Sequence, residues 1–76
     1  MNKTYGYLYL NHNTGRFCIM LKDGREYGYL RVGQAFEIFW NGQWISSRLV
    51  YDDIYDVFYF EGFLNYDLPQ GVLIRL

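Results

Sequence analysis

Asn41 and Gly42 join two runs in which apolar and polar residues alternate, 36–40 and 43–48, and this dipeptide constrains the fold more than any other feature of the chain. Both central residues of a type I′ turn need positive φ. Asn and Gly tolerate it, and the twist of that turn matches the twist of the strands it connects. A two-residue loop also sets the register. It places Trp40 opposite Gln43, Phe39 opposite Trp44, Ile38 opposite Ile45, Glu37 opposite Ser46 and Phe36 opposite Ser47. Side chains alternate between faces, so Phe36, Ile38, Trp40 and Ile45 share the expected core face. Glu37, Phe39, Trp44, Ser46 and Arg48 share the other. There Glu37 lies diagonal to Arg48 and is expected to pair with it. Phe39 and Trp44 are expected to stack across the strands, worth about 0.2–1 kcal/mol. They form either a contact patch or a surface covered by the chain's own ends.

The remaining runs follow the same style. Residues 5–10 lead into a cluster of turn formers, 11–15, with Gly15 suited to a left-handed position. Residues 16–21 put Phe17, Ile19 and Leu21 on one face and end at Asp23 and Gly24, a second hairpin signal. Further runs are expected at 26–30, 35–40, 43–51, 54–60 and 72–76, with a longer loop around Pro69. The run at 54–60 has two readings. Tyr51, Ile54, Tyr55 and Phe58 fall at helical spacing behind a possible cap at Asp53, whereas Val57, Phe58, Tyr59 and Phe60 favour a strand. The strand is preferred. Tyr5-Gly6-Tyr7-Leu8 returns as Tyr27-Gly28-Tyr29-Leu30, and a glycine inside a strand marks a bend or a close backbone approach.

Short strands, frequent turns and scant helical pattern predict an all-β fold. At 76 residues one domain, residues 1–76, is expected. Its form is a small, strongly bent SH3-like, partly open barrel of five to seven short antiparallel strands. A domain this small buries only about 60% of its unfolded surface, so a homodimer would ease its shortage of core.

Chemistry is sparse. Cys18 is the single cysteine and His12 the single histidine, which excludes an intrachain disulfide and a cysteine–histidine zinc cage. His12 lies among turn formers and Cys18 alternates with Phe17 and Ile19, so neither has a neighbour that would make it a base or a nucleophile. Asp52, Asp53 and Asp56 lack the spacing of a calcium loop. No glycine-rich phosphate loop is present. The expectation is no enzyme, no catalytic residue, no metal and no cofactor. No apolar run approaches the roughly 18 residues of a membrane span, and a cytoplasmic location without membrane contact is expected.

Charge is unevenly placed. Residues 1–48 hold Lys3, Arg16, Lys22, Arg25, Arg31 and Arg48 against three acids, whereas 49–76 hold Asp52, Asp53, Asp56, Glu61 and Asp67 against Arg75. Nine Tyr, six Phe and two Trp exceed what one small core can hold, and surface aromatics are favoured in binding.

The segments Thr14-Gly15-Arg16-Phe17, Asp23-Gly24, Tyr27-Gly28, Phe36-Glu37-Ile38 and Asn41-Gly42-Gln43-Trp44 through Arg48, closing with residues 68–71 and Val72-Leu73-Ile74-Arg75, carry a resemblance. The chain resembles a family of short uncharacterised proteins, a domain of unknown function, in Gram-positive bacteria and their mobile elements. The stretch 51–67 departs from that pattern. The resemblance implies a setting of plasmids, conjugative elements and phages, where some small acidic proteins inhibit host defence machinery.

The expected function is a protein-binding module that docks on a basic, nucleic-acid-handling host protein. Asp52, Asp53, Asp56, Glu61 and Asp67 would stand in for phosphates, with Tyr55, Phe39 and Trp44 as aromatic contacts. The alternative is a single-stranded nucleic-acid binder that uses Tyr5, Tyr7, Tyr27, Tyr29 and nearby arginines, although the acidic pI of 5.6 opposes phosphate neutralisation. A third class is a small-molecule binder with a pocket at the barrel mouth.

Overall fold

Two three-stranded antiparallel meanders are joined through the last strand of the chain. The structure, a computed structural model, describes residues 3–63 and 70–76. The first meander is β1 (Tyr5–Asn11), β2 (Arg16–Met20) and β3 (Glu26–Tyr29). The second is β4 (Ala35–Trp40), β5 (Gln43–Asp52) and β6 (Val57–Phe60). Strand β7 (Val72–Arg75) lies between them and gives one seven-stranded sheet of order β3-β2-β1-β7-β4-β5-β6. All pairings are antiparallel, and no helix occurs among the described residues.

The β4–β5 hairpin has the expected register throughout, from Trp40 opposite Gln43 to Phe36 opposite Ser47. Asn41 and Gly42 have φ of 51° and 78°, the positive pair that a type I′ turn requires. The segment after Tyr51 is a hairpin too. Strand β5 continues to Asp52, residues 53–56 turn, and only residues 57–60 of the expected run 54–60 are strand. The helical spacing of Tyr51, Ile54, Tyr55 and Phe58 reflects two strand residues and two turn residues. Asp52, not Asp53, caps the turn, since its Oδ1 accepts the amides of Ile54 at 2.9 Å and Tyr55 at 3.3 Å.

The sheet curls around one apolar core. Leu8, Ile19, Leu30, Phe36, Ile38, Leu49, Phe60, Val72 and Ile74 are buried together, drawn from every strand except β3, which is represented by Leu30 just after it. Burying each large aliphatic or aromatic side chain contributes about 1.5–3 kcal/mol. Ser47, also buried, donates its hydroxyl to the Glu61 carbonyl at 2.9 Å, so its polar group is satisfied. No ladder joins the outermost strands β3 and β6 among the described residues. Their ends are nonetheless brought together. Phe17 of β2 packs edge-on against Phe60 of β6 with ring centroids 4.7 Å apart. The Gly33 amide, on the loop after β3, donates to the Leu49 carbonyl at 2.7 Å.

The two Tyr-Gly-Tyr-Leu copies serve the curl differently. A Cβ at Gly6 would come within 2.6 Å of Ile19 Cγ2 and 3.1 Å of the Met20 carbonyl oxygen, so β1 and β2 close up there only because Gly6 has no side chain. In the second copy the β2–β3 register shifts between Ile19 and Met20, and Tyr27 is the residue left over.

Candidate functional site

The residues expected to bind a partner separate into two places at opposite ends of β5. Phe39 and Trp44 lie on the outer face of the β4–β5 hairpin, opposite one another, with ring centroids 5.1 Å apart. Trp44 is largely taken up by the chain itself. Tyr5 meets it edge-on at 5.8 Å, and the Arg75 guanidinium lies over its ring, 4.1 Å from the centroid. The chain's own ends therefore fold over Trp44, while Phe39 stays 41% exposed.

Arg75 is held there by Glu37. Its Nε donates to Glu37 Oε1 at 2.8 Å and its Nη2 to Oε2 at 3.1 Å, a two-point contact, and Lys3 Nζ donates to the same Oε1 at 2.8 Å. The bonds from Arg75 and then from Lys3 pull the Glu37 carboxyl down to about 2. The same bond raises the Arg75 pKa. The expected Glu37–Arg48 pair does not form. Strand β7 brings Arg75 directly opposite Glu37, and Arg48 instead pairs with Glu61 at 3.0 Å. Arg75 was not recognisable as a structural residue from sequence, because its partner lies 38 positions away.

The second place is the tip of the β5–β6 hairpin. Ile54 and Tyr55 stand out there, 83% and 76% exposed. Asp52, Asp53 and Asp56 surround them in the chain. Asp52 fixes the turn through the Ile54 and Tyr55 amides. Asp56 takes a positive φ of 54° and accepts the Tyr51 hydroxyl. That bond raises the Tyr51 pKa, since ionising the phenol would set two negative groups side by side. The Tyr51 and Phe58 rings pack at 5.0 Å beneath the turn. Ile54 lies in the turn and not in the expected strand run 54–60, and the aspartates on either side are a turn signal that points to it.

Glu61 does not join this tip. It lies beyond the far end of the β5–β6 ladder, five residues past Asp56 and so about 16 Å along the strand at roughly 3.3 Å per residue, and its charge meets Arg48. Asp67 lies outside the described residues.

Four tyrosines were candidates for stacking bases. Tyr5 turns to Trp44, and Tyr29 lies 5.6 Å below the Arg16 guanidinium. Tyr7 is half-buried, and Tyr27 is exposed on the bulge. The basic side chains of the same half of the chain are divided. Arg25 pairs with Asp23 at 2.6 Å. Lys22 borders a depression with Tyr7, Tyr9, Cys18 and Glu26. Arg16 and Arg31 border a separate cavity.

His12 is exposed in the β1–β2 turn. Cys18 is buried, and burial first and the Glu26 charge second push its thiol pKa up, which opposes thiolate chemistry. Among the described residues no group of three or more His, Cys, Asp or Glu side chains comes together as a metal site. No helix among them is long and apolar enough to cross a membrane.

A search of curated proteins gives no match to this chain. The crystal structure of a protein from Ruminococcus gnavus is similar, with a TM-score of 0.74 and 26% identity, covering 95% of this chain and 99% of that one. The family model described as "Domain of unknown function (DUF5348)" matches residues 6–76. From the first core strand to the last residue, then, the chain belongs to the DUF5348 family of domains of unknown function.

Proposed function

We propose that this protein is a non-enzymatic docking module whose contact surface is the tip of the β5–β6 hairpin. The observation that carries this reading is the pair Ile54 and Tyr55, held out on a capped turn between Asp52, Asp53 and Asp56. Exposed apolar side chains ringed by charge have the layout of an interface centre and its rim. The chain has no Lys or Arg from residue 49 to residue 74, so a basic partner meets no repulsion from this segment. A nucleic-acid-handling protein fits that chemistry, because its basic groove is shaped for phosphates. Inhibition of such a host protein by a product of a phage or mobile element is the setting we propose. Phe39 is a secondary contact in this reading, and Trp44, Glu61 and Arg75 hold the fold.

The test is capture from host lysate with the natural chain, with D52N/D53N/D56N and with Phe39→Ala. Asn keeps the capping acceptor at position 52 while removing the charge. A Lys- and Arg-rich protein retained by the natural chain and by Phe39→Ala, and lost with the triple variant, supports the reading. Capture that is equal with all three rejects it. Binding should also weaken as salt rises, because steering between exposed charges is screened.

A further inference from the structure

We propose that the cavity where the two ends of the curled sheet meet is a binding site for a small anion with a flat apolar body, such as a mononucleotide or an aromatic carboxylate. The cavity has a volume of about 370 Å³, within the range of small-ligand sites, about 300–1,000 Å³. Phe17, Leu30, Leu49 and Phe58 line it, and Arg16 and Arg31 stand at its border. It exists because no ladder joins β3 to β6: the sheet is drawn together by side chains and single hydrogen bonds, which leave a hollow.

Charge gives the cavity its chemistry. Among the described residues Lys3, Arg25, Arg48 and Arg75 each pair with a carboxylate. Arg16, Lys22 and Arg31 pair with none of those carboxylates, and two of these three cations border this one cavity. A guanidinium recognises a carboxylate or phosphate through paired donors. Apolar side chains beside it accept a planar ring.

The walls are fixed before any ligand arrives. The Leu30 amide donates to the Phe17 carbonyl at 3.0 Å, and the Gly33 amide to the Leu49 carbonyl at 2.7 Å. The Arg31 amide donates to Gln34 Oε1 at 3.0 Å, while the Gln34 amide donates back to the Arg31 carbonyl at 3.0 Å. Arg16 rests over the Tyr29 ring. A preformed site loses less entropy on binding.

The experiment titrates the full chain, followed by backbone amide NMR, with adenosine 5′-monophosphate and with indole-3-acetate. Adenosine and inorganic phosphate serve as controls that carry only the ring or only the charge. We expect saturable shifts at residues 15–17, 29–32, 49 and 58 with both aromatic anions. R16A/R31A should weaken binding by about tenfold or more while leaving the spectrum elsewhere unchanged. The proposal is overturned by no saturable change up to about 10 mM of either anion. Equal binding of adenosine or of phosphate alone, or undiminished binding by the double variant, also overturns it. The site is independent of the hairpin tip, so D52N/D53N/D56N should bind these anions like the natural chain.

Discussion

The two halves of β5 carry aromatic and charged residues of the same kinds to different fates. Residues 43–48 pair with β4, and the aromatic residue of their outer face is built into the molecule: Trp44 is half-buried against Phe39, Tyr5 and Arg75. Residues 49–52 pair with β6 alone, and the turn that follows leaves Ile54 and Tyr55 largely in solvent. The charges divide in the same way. Glu37 is saturated by two cations, whereas Asp52 bonds to its own turn and Asp56 to Tyr51, and no ion pair reaches a tip aspartate among the described residues. An aromatic residue beside a carboxylate is thus a binding candidate only where tertiary packing has left it over. Position 44 and position 55 differ by the arrival of β7 and the N-terminal strand.

The sharpest test of this contrast pits Ile38→Ala against Ile54→Ala. Ile38 is fully buried at the centre of the sheet, and its truncation should cost about 2–5 kcal/mol in denaturant unfolding. Ile54→Ala should stay within about 0.5 kcal/mol of the natural chain. Equal losses at the two sites would show that the tip is packed in solution. Next in size, Trp44→Ala should lower stability by about 1–3 kcal/mol through lost ring and cation–π contacts. Tyr55→Ala should leave the midpoint unchanged and instead reduce capture of the partner.

Acid separates the two regions further. Glu37 has a folded-state pKa of about 2 against an ordinary 4.5. A lowered pKa means that its contribution to stability is complete above the unfolded value and fades as pH falls from about 4.5 towards 2. Unfolding followed across this window should show Glu37→Gln losing less stability on acidification than the natural chain. An unchanged slope would sink the role given to the Arg75–Glu37 contact. A small effect belongs to the turn's own hydrogen bonds. Asp52→Ala should cost about 1 kcal/mol or less and be visible mainly as faster amide exchange at Ile54 and Tyr55.

What could be read in the sequence was what local geometry decides. Asn41 and Gly42 dictated a turn, the turn dictated a register, and the register put Phe36 and Ile38 inside and brought Phe39 against Trp44. The breaks between strands were legible for the same reason, since Gly15, Gly24 and Gly42 all adopt the positive φ that turns demand. Position across the sheet was not legible. Nothing near Glu37 announces that Arg75 will arrive opposite it, so the nearer Arg48 was expected as its partner. The helix–strand ambiguity at 51–60 had a physical source as well: a short turn inside an aromatic hairpin reproduces helical spacing by chance. The candidate surfaces were harder still. Arg16 and Arg31 come side by side through the β2–β3 pairing, but Leu49 and Phe58, which complete their cavity, arrive only through the curl of the sheet and leave no trace in residue order.

The central place of β7 bears on how the molecule is made. Chain emerging through residue 63 contains both meanders, yet each has an inner border, β1 in one and β4 in the other, whose mate is still to come. Exposed borders of this sort recruit other strands, including those of sibling chains. Synthesis up to Val72 therefore yields a molecule open at its middle, and β7, made after both meanders, zips it shut from the inside. A chain cut short before that point should be prone to clumping, even though most of its apolar interior would already be present.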